Sequence, residues 1–220
     1  MRKLLIFGAG TIGEVAHYYF RHDSDYTVVG FAADKEFVTG ANFCGLPVIP
    51  FEDALQAFPP ADTDMFIALS YTKLNAVRKA KAEAAQAMGY GLASYVSSRA
   101  FVYEGFKPGT NCFILEDNTI QPFVRIGNNV TLWSGNHIGH HASIADHCFL
   151  ASHIVVSGGV TIGESCFIGV NATIRDHVSI GARCVIGAGA LILADADPEG
   201  VYLGPATERS KVPSSRLRRI

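Results

Sequence analysis

The sequence predicts two domains in series, a small Rossmann-like α/β unit with a parallel sheet over residues 1–98 and an all-β parallel β-helix over 99–207. Three observations predict it. An aliphatic residue recurs every six positions from residue 114 to residue 192, without a miss. The residues ahead of that series alternate short apolar strands with helical stretches. The first of those strands runs into Gly8-Ala9-Gly10-Thr11-Ile12-Gly13, a glycine-rich turn that opens a helix.

The aliphatic series is Ile114, Ile120, Ile126, Leu132, Ile138, Ile144, Leu150, Val156, Ile162, Ile168, Ile174, Ile180, Ile186 and Ile192. Neither an α-helix nor an alternating strand has a period of six; a hexapeptide β-helix does. Three hexads close one triangular coil, so the series spans between four and five coils. The position two before each aliphatic also points inward and holds mostly small residues such as Val124, Ala142 and Ala172, with Ile154 the bulky exception. Gly follows the aliphatic at 127, 139, 163, 169, 181 and 187, where a tight corner would favour it. Cys112, Cys148, Cys166 and Cys184 share the small inward slot, which reads as buried apolar packing rather than a metal or redox ladder. Coils of this kind bury their interior only against neighbours, and their flat faces favour association into trimers.

In the first domain, strands are expected at Leu4–Phe7, Thr27–Ala32, Gly45–Pro50, Asp64–Ser70 and Leu92–Val96, with helices to about Arg21, over Glu52–Phe58 and over Leu74–Met88. Strand–helix alternation predicts a parallel sheet. A G-x-G-x-x-G turn between strand and helix points its backbone N–H groups at a diphosphate. Asp34 follows the second strand, near where a dinucleotide enzyme places its ribose-binding acid. The domain is too short for two mononucleotide-binding halves, so a nucleotide-linked sugar fits the turn better than NAD, with a purely structural turn the alternative.

Hydrophobic residues make up 49% and charged residues 17% of the chain, which excludes a disordered class. A formal net charge of −2 gives no footing for nucleic-acid binding. The apolar start breaks into glycines too soon for a signal peptide. No stretch approaches the roughly 18 uncharged apolar residues of a membrane helix, and five cysteines make an odd count that argues against a disulfide framework. The expectation is a cytoplasmic chain with no membrane insertion, ending in a basic tail over 208–220.

Six histidines fall in the repeat: His137, His140, His141, His147, His153 and His177. A metal site is the first alternative to weigh. His141, His147 and His153 each sit the same distance after their aliphatics on three successive faces, pointing apart, so no metal is expected within one subunit.

Asn136-His137-Ile138-Gly139-His140-His141-Ala142-Ser143-Ile144 resembles the active-site stretch of hexapeptide acyltransferases. With Ser157-Gly158-Gly159-Val160-Thr161-Ile162-Gly163-Glu164, Phe167-Ile168-Gly169-Val170-Asn171 and Ile186-Gly187-Ala188-Gly189-Ala190, the chain is similar along nearly its whole length to the bacterial sugar O-acyltransferases of the sialic-acid O-acetyltransferase type. That family includes N-acetyltransferases acting on nucleotide-linked amino sugars. The resemblance implies a left-handed β-helix and a homotrimer with active sites between subunits. It implies acetyl-CoA as co-substrate and His140, ahead of Ile144, as general base toward a sugar amine or hydroxyl. A backbone N–H at Gly158 would stabilise the oxyanion. Phe149, Val170 and Ala188 would line the CoA groove; the nucleotide sugar would meet Gly10, Thr11, Ile12, Asp34, Ser70 and Tyr71. Arg209, Lys211, Arg216, Arg218 and Arg219 either meet the CoA phosphates or form a solvated tail.

This chain departs from the pattern in places. The family usually has Asp or Glu after the catalytic histidine, to raise its basicity; here His141 stands there, leaving His141, Asp117 or Asp146 as candidate supports. Phe149 replaces a frequent histidine, and Ala33-Asp34 and Ser70-Tyr71 alter the nucleotide end. Gly204-Pro205-Ala206 is one residue shorter than the family's G-x-P-A. The leading reading is transfer of acetyl to the amino group of a nucleotide-linked sugar in surface polysaccharide or glycan biosynthesis. O-acetylation of a sugar hydroxyl and a metal-binding or non-catalytic β-helix trimer are the competing readings.

Overall fold

A computed structural model describes residues 2–216 of the chain. The first part contains β1 (Arg2–Phe7), α1 (Thr11–His22), β2 (Tyr26–Ala33), β3 (Asn42–Phe43), β4 (Leu46–Pro50), α2 (Ala54–Ala57), β5 (Thr63–Ile67) and α3 (Ala76–Ala87). The sheet order is β3-β4-β2-β1-β5, parallel throughout except for the β3–β4 hairpin. Leu4 to Phe7 are buried, as a strand covered by helices on both faces must be. α1 seats Ala16 and Phe20 on the sheet. Its entry turn demands glycine twice: Gly8 has φ +115°, and a Cβ on Gly13 would lie 1.9 Å from the Gly8 carbonyl oxygen.

The last strand expected in this domain divides instead. Leu92 bridges Met65 in the first sheet, whereas Tyr95–Val96 pairs with Phe113–Ile114 and starts the β-helix ladder. Val96 and Val102 extend the inward series backward by one coil from Ile114 and Ile120.

Two-residue parallel strands then build three faces. The first face stacks Phe113–Ile114, Thr131–Leu132, Phe149–Leu150, Phe167–Ile168, Val185–Ile186 and Val201–Tyr202 onto Tyr95–Val96. The second runs through Phe101–Val102, Thr119–Ile120, His137–Ile138, Val155–Val156, Thr173–Ile174 and Leu191–Ile192; the third through Arg125–Ile126, Ser143–Ile144, Thr161–Ile162 and Ser179–Ile180. Each strand pairs with its counterpart one coil on, and the last pairing, Val185–Ile186 with Val201–Tyr202, closes a slightly shorter coil. The fourteen aliphatics fill one continuous core.

Every sixth residue from Asn111 to Gly189 is left-handed, with φ between +54° and +78°. These residues make the corners. Asn, Asp, His and Gly tolerate that region best, which explains the histidine cluster: His141, His147, His153 and His177 are corner residues at φ +58° to +65°. The glycines after the aliphatics, expected to serve as left-handed corners, have a different reason to be glycine. Gly127, Gly139, Gly163, Gly169, Gly181 and Gly187 are outside the left-handed region, and a Cβ on Gly163 would meet Ala182 N at 2.6 Å in the next coil. Glycine there lets successive coils approach. The small slot holds Cys for an added reason: Cys112, Cys148 and Cys166 each donate Sγ–H to a glycine carbonyl 3.1 Å away.

The first domain packs on the first face. Phe66, Phe20, Tyr95, Phe113 and Leu115 share one apolar cluster, joined by Ile12 and Trp133. At one side Arg78 of α3, 1% exposed, donates to Thr131 Oγ1 at 2.6 Å and to the carbonyls of His147 and Cys148 at 3.2 and 3.1 Å. No carboxylate faces it among the described residues, and burial pulls its guanidinium down to about 10. At the other side Tyr19 donates to Glu116 at 2.6 Å and Tyr95 to Asp23 at 2.6 Å.

These contacts can be tested by stability. Gly163→Ala forces neighbouring coils apart at a backbone contact and is expected to cost about 1–3 kcal/mol, the range for overpacking, read from denaturant unfolding. Glu116 and Asp23 are the acid-sensitive points: burial pushes both carboxyls up, but hydrogen bonds from Ser134 and Tyr19, and from Tyr95 and Ser98, outweigh it and hold them below their ordinary 4.5 and 3.8. Their contribution is complete above those values and lost as pH falls through the lower folded ones. Glu116→Gln should therefore lower Tm at pH 7 and flatten the acid-side loss of Tm; an unchanged Tm–pH curve refutes the assignment.

Candidate functional site

Two separate constellations stand out. The first is a cavity of about 530 Å³ at the carboxyl ends of β1, β2 and β5. Gly8 to Ile12, Ala33, Asp34, Phe37, Ala68 to Ser70 and Val77 line it. Crevices beyond the strand ends of parallel sheets are where such folds bind ligands. The N-terminus of α1 opens there, with Gly10 at its cap and open space where a Cβ would stand. Gly10, Thr11, Ile12, Asp34 and Ser70 thus line one cavity as expected. Tyr71 does not line it; its ring packs on Phe149 and Phe167, with centroids 5.0 and 4.6 Å apart.

Asp34 holds a partner that sequence reasoning missed. Lys81 of α3 forms an ion pair with Asp34 Oδ1, and its ammonium lies 5.2 Å over the Phe7 ring and 5.1 Å over Phe51. The signal was legible only as one of two lysines in an alanine-rich helix. Among the described residues Asp34 Oδ2 has no donor, so that oxygen is free to accept from a ligand.

The second constellation surrounds His140, whose ring is exposed on the edge between the second and third faces. His140 is the one histidine in its repeat slot, just past the glycine that follows the aliphatic, while its neighbours occupy corners or a strand. Its backbone N–H donates to Gln121 Oε1 at 2.8 Å, and its Nδ1 lies 3.2 Å from His141 Nδ1. The imidazole stands directly over Gly158 in the next coil: a Cβ there would be 2.7 Å from Cε1 and 2.8 Å from Nε2. Only glycine leaves room for the ring. Among the described residues the Gly158 N–H donates to no acceptor, so beneath the imidazole there is an unpaired donor. His141 is held by its Phe123 neighbour, ring centroids 4.7 Å apart.

The expected carboxylate supports lie elsewhere. Asp117 is a corner residue on the edge between the first and second faces, and Asp146 lies on the edge between the third and first, accepting from Asn128 N at 2.7 Å. Neither shares an edge with His140, because residues separated by one hexad go to different edges of the triangle. Of the three, only His141 lies beside His140, their Nδ1 atoms 3.2 Å apart. Phe149, expected at the CoA groove, is 4% exposed and covered by Tyr71, Phe167 and Trp133, which makes it a residue of the interdomain seam. Val170 and Ala188 are exposed, one coil apart on the edge between the first and second faces. That edge continues from Trp133, which packs near Ile12 of the glycine turn. Arg209, Lys211 and Arg216 are exposed; Arg218 and Arg219 lie outside the described residues.

Among the described residues no three His, Cys, Asp or Glu side chains gather to hold a metal ion. His141, His147 and His153 sit on three different edges, as their spacing requires. No helix of the described residues is long and apolar enough to cross a membrane.

The edge carrying His140 is opposite the first face, the one the α/β domain covers. A single chain therefore keeps its cavity and its exposed imidazole on opposite sides of the prism.

Residues 159–194 match the bacterial transferase hexapeptide (six repeats) family. No curated protein sequence matches the chain. Among solved structures, it is similar to PerB from Caulobacter crescentus, determined with CoA and GDP-perosamine, at 23% identity over 92% of this chain and 94% of that one, with a TM-score of 0.80. The acetyltransferase domain of PglB from Neisseria gonorrhoeae matches at 25% identity over 93% and 97% of the two chains, TM-score 0.67. WeeI from Acinetobacter baumannii matches at 18% over 93% and 97%, TM-score 0.71. Residues 159–194 thus carry bacterial transferase hexapeptide repeats, within a fold shared with PerB and the PglB acetyltransferase domain, an α/β sheet followed by a left-handed β-helix.

Proposed function

We propose that the protein is an acetyl-CoA-dependent N-acetyltransferase of a nucleotide-linked amino sugar, acting as a cytoplasmic homotrimer with His140 as general base. The observation that carries this reading is the exposed His140 ring standing over the unpaired Gly158 N–H. A base and an oxyanion donor on adjacent coils suit acyl transfer. PerB, of the same architecture, was solved with CoA and GDP-perosamine, which supports both substrates.

The sugar amine attacks the thioester carbon while His140 Nε2 accepts its proton; Nδ1, turned to His141, fixes which nitrogen faces outward. The Gly158 N–H stabilises the oxyanion. The intermediate then collapses to the amide and expels the CoA thiolate, which takes the proton from the imidazolium to leave as free thiol. No acyl-enzyme forms.

Placement supports an oligomer. The nucleotide diphosphate sits at the N-terminus of α1 and its ribose at Asp34, with CoA along Val170 and Ala188 on the same side of the prism. His140 is on the far edge, so the base is supplied by a neighbouring copy. Exposed Phe101, Val155 and Leu191 give the second face an apolar surface for that contact.

Free CoA release with acetyl-CoA and a panel of UDP-, GDP- and dTDP-linked amino sugars tests the activity. His140→Asn is expected to lower kcat by about 10²–10⁴-fold, the usual reach of a general base, with both substrates still bound; near-wild-type turnover would refute the base. A mixing experiment tests the shared site. Gly10→Glu places a carboxylate in the cradle, where open space admits it, and is expected to be inactive by itself. Refolding it together with His140→Asn should recover activity that neither has alone, through trimers combining an intact cradle with an intact histidine. No recovery means that one chain supplies both halves.

A further inference from the structure

The lip of the 530 Å³ cavity carries an aromatic ring that the proposed chemistry leaves unused. Phe37 is 65% exposed and lines the cavity. It ends the short 3₁₀ turn Lys35–Phe37, closed by the Phe37 N–H donating to the Asp34 carbonyl at 2.7 Å. That bond ties the ring's position to the nearby Asp34 carboxylate.

A lone exposed Phe on a protein surface needs no explanation. This one shares its cavity with the N-terminus of α1 and with Asp34. The N-terminus of α1 offers backbone N–H groups to a diphosphate, Asp34 Oδ2 is free to accept from ribose hydroxyls, and Phe37 follows where the ribose would carry its base. Of the remaining walls, Phe7, Ala33, Ala68, Leu69 and Val77 offer no side-chain donor or acceptor to a base edge, and Ser70 offers a single hydroxyl. A planar, largely apolar group recognised by a π-face is what that end of the cavity can hold.

We propose that Phe37 is the nucleobase platform of this site, binding the base by stacking, so that the protein takes nucleoside diphosphates through ribose and diphosphate with little reading of base edges. This rests on the cavity being the nucleotide site. Stacking on an aromatic ring is tolerant of base identity because every base has a π-face, and its loss on alanine substitution weakens binding severalfold to over a hundredfold.

The test is calorimetric titration of the full chain with GDP and with UDP. The wild type should bind both, with affinities within about tenfold of each other. Phe37→Ala should weaken both by roughly tenfold or more, and Phe37→Trp should keep them. Light scattering and KM for acetyl-CoA should be unchanged in both variants. If Phe37→Ala binds both diphosphates as the wild type does, or instead changes the oligomer, the platform is refuted and the ring is packing surface. Binding of one diphosphate alone by the wild type refutes the tolerance of base identity. Failure of the wild type to bind either overturns the nucleotide reading of the cavity and the platform with it.

Discussion

Main-chain hydrogen bonding from each coil to the next is the constraint on which the molecule depends. Such short strands cannot hold themselves, and a single coil exposes its whole interior, so each turn is stable only between neighbours. The corner residues must accept left-handed backbone, and where a glycine follows the aliphatic the next coil approaches so closely that a Cβ would clash. Those two demands account for the His, Asn and Gly at many corners and for the six glycines that follow aliphatics.

The active-site candidate grows out of the same rules. His140 reaches over Gly158 because the two occupy the same slot in successive coils, and the site needs glycine below the ring for space as the other coils need it for closeness. The unpaired N–H under the imidazole is a property of that slot, where the backbone N–H is turned away from the ladder. In the turns of Asn128 and His140 a side chain captures it, Asp146 and Gln121 respectively. At Gly158 none does among the described residues.

The seam between domains is the second determinant. A buried arginine with only neutral acceptors, bonded to a threonine and two carbonyls of the first face, fixes α3 against the β-helix. α3 also carries Lys81, which holds Asp34. One helix thereby sets both the orientation of the cavity and the charge within it. Placing the α/β unit on the first face leaves the His140 edge on the opposite side of the prism.

The period of six, the inward slot and the strand–helix alternation were all legible in the sequence, because each is a local rule repeated many times. The glycine turn was legible as well, from its setting between strand and helix, and His140, singled out by its resemblance to a known pattern, is exposed over Gly158. Phe149 was misplaced because spacing along a hexad series gives the edge a residue occupies but not what covers it, and here a folded domain covers the first face; Asp117 and Asp146 fail on the spacing itself, which puts them on edges other than that of His140. Lys81 carried no local signal, since its meeting with Asp34 joins segments far apart in the chain. What the sequence by itself determined is therefore the coil, its corners and its core. Which side of the prism is open to a ligand, and which carboxylates are already paired, was decided only when the two domains came together, because surface exposure and long-range ion pairs depend on contacts that no short period encodes.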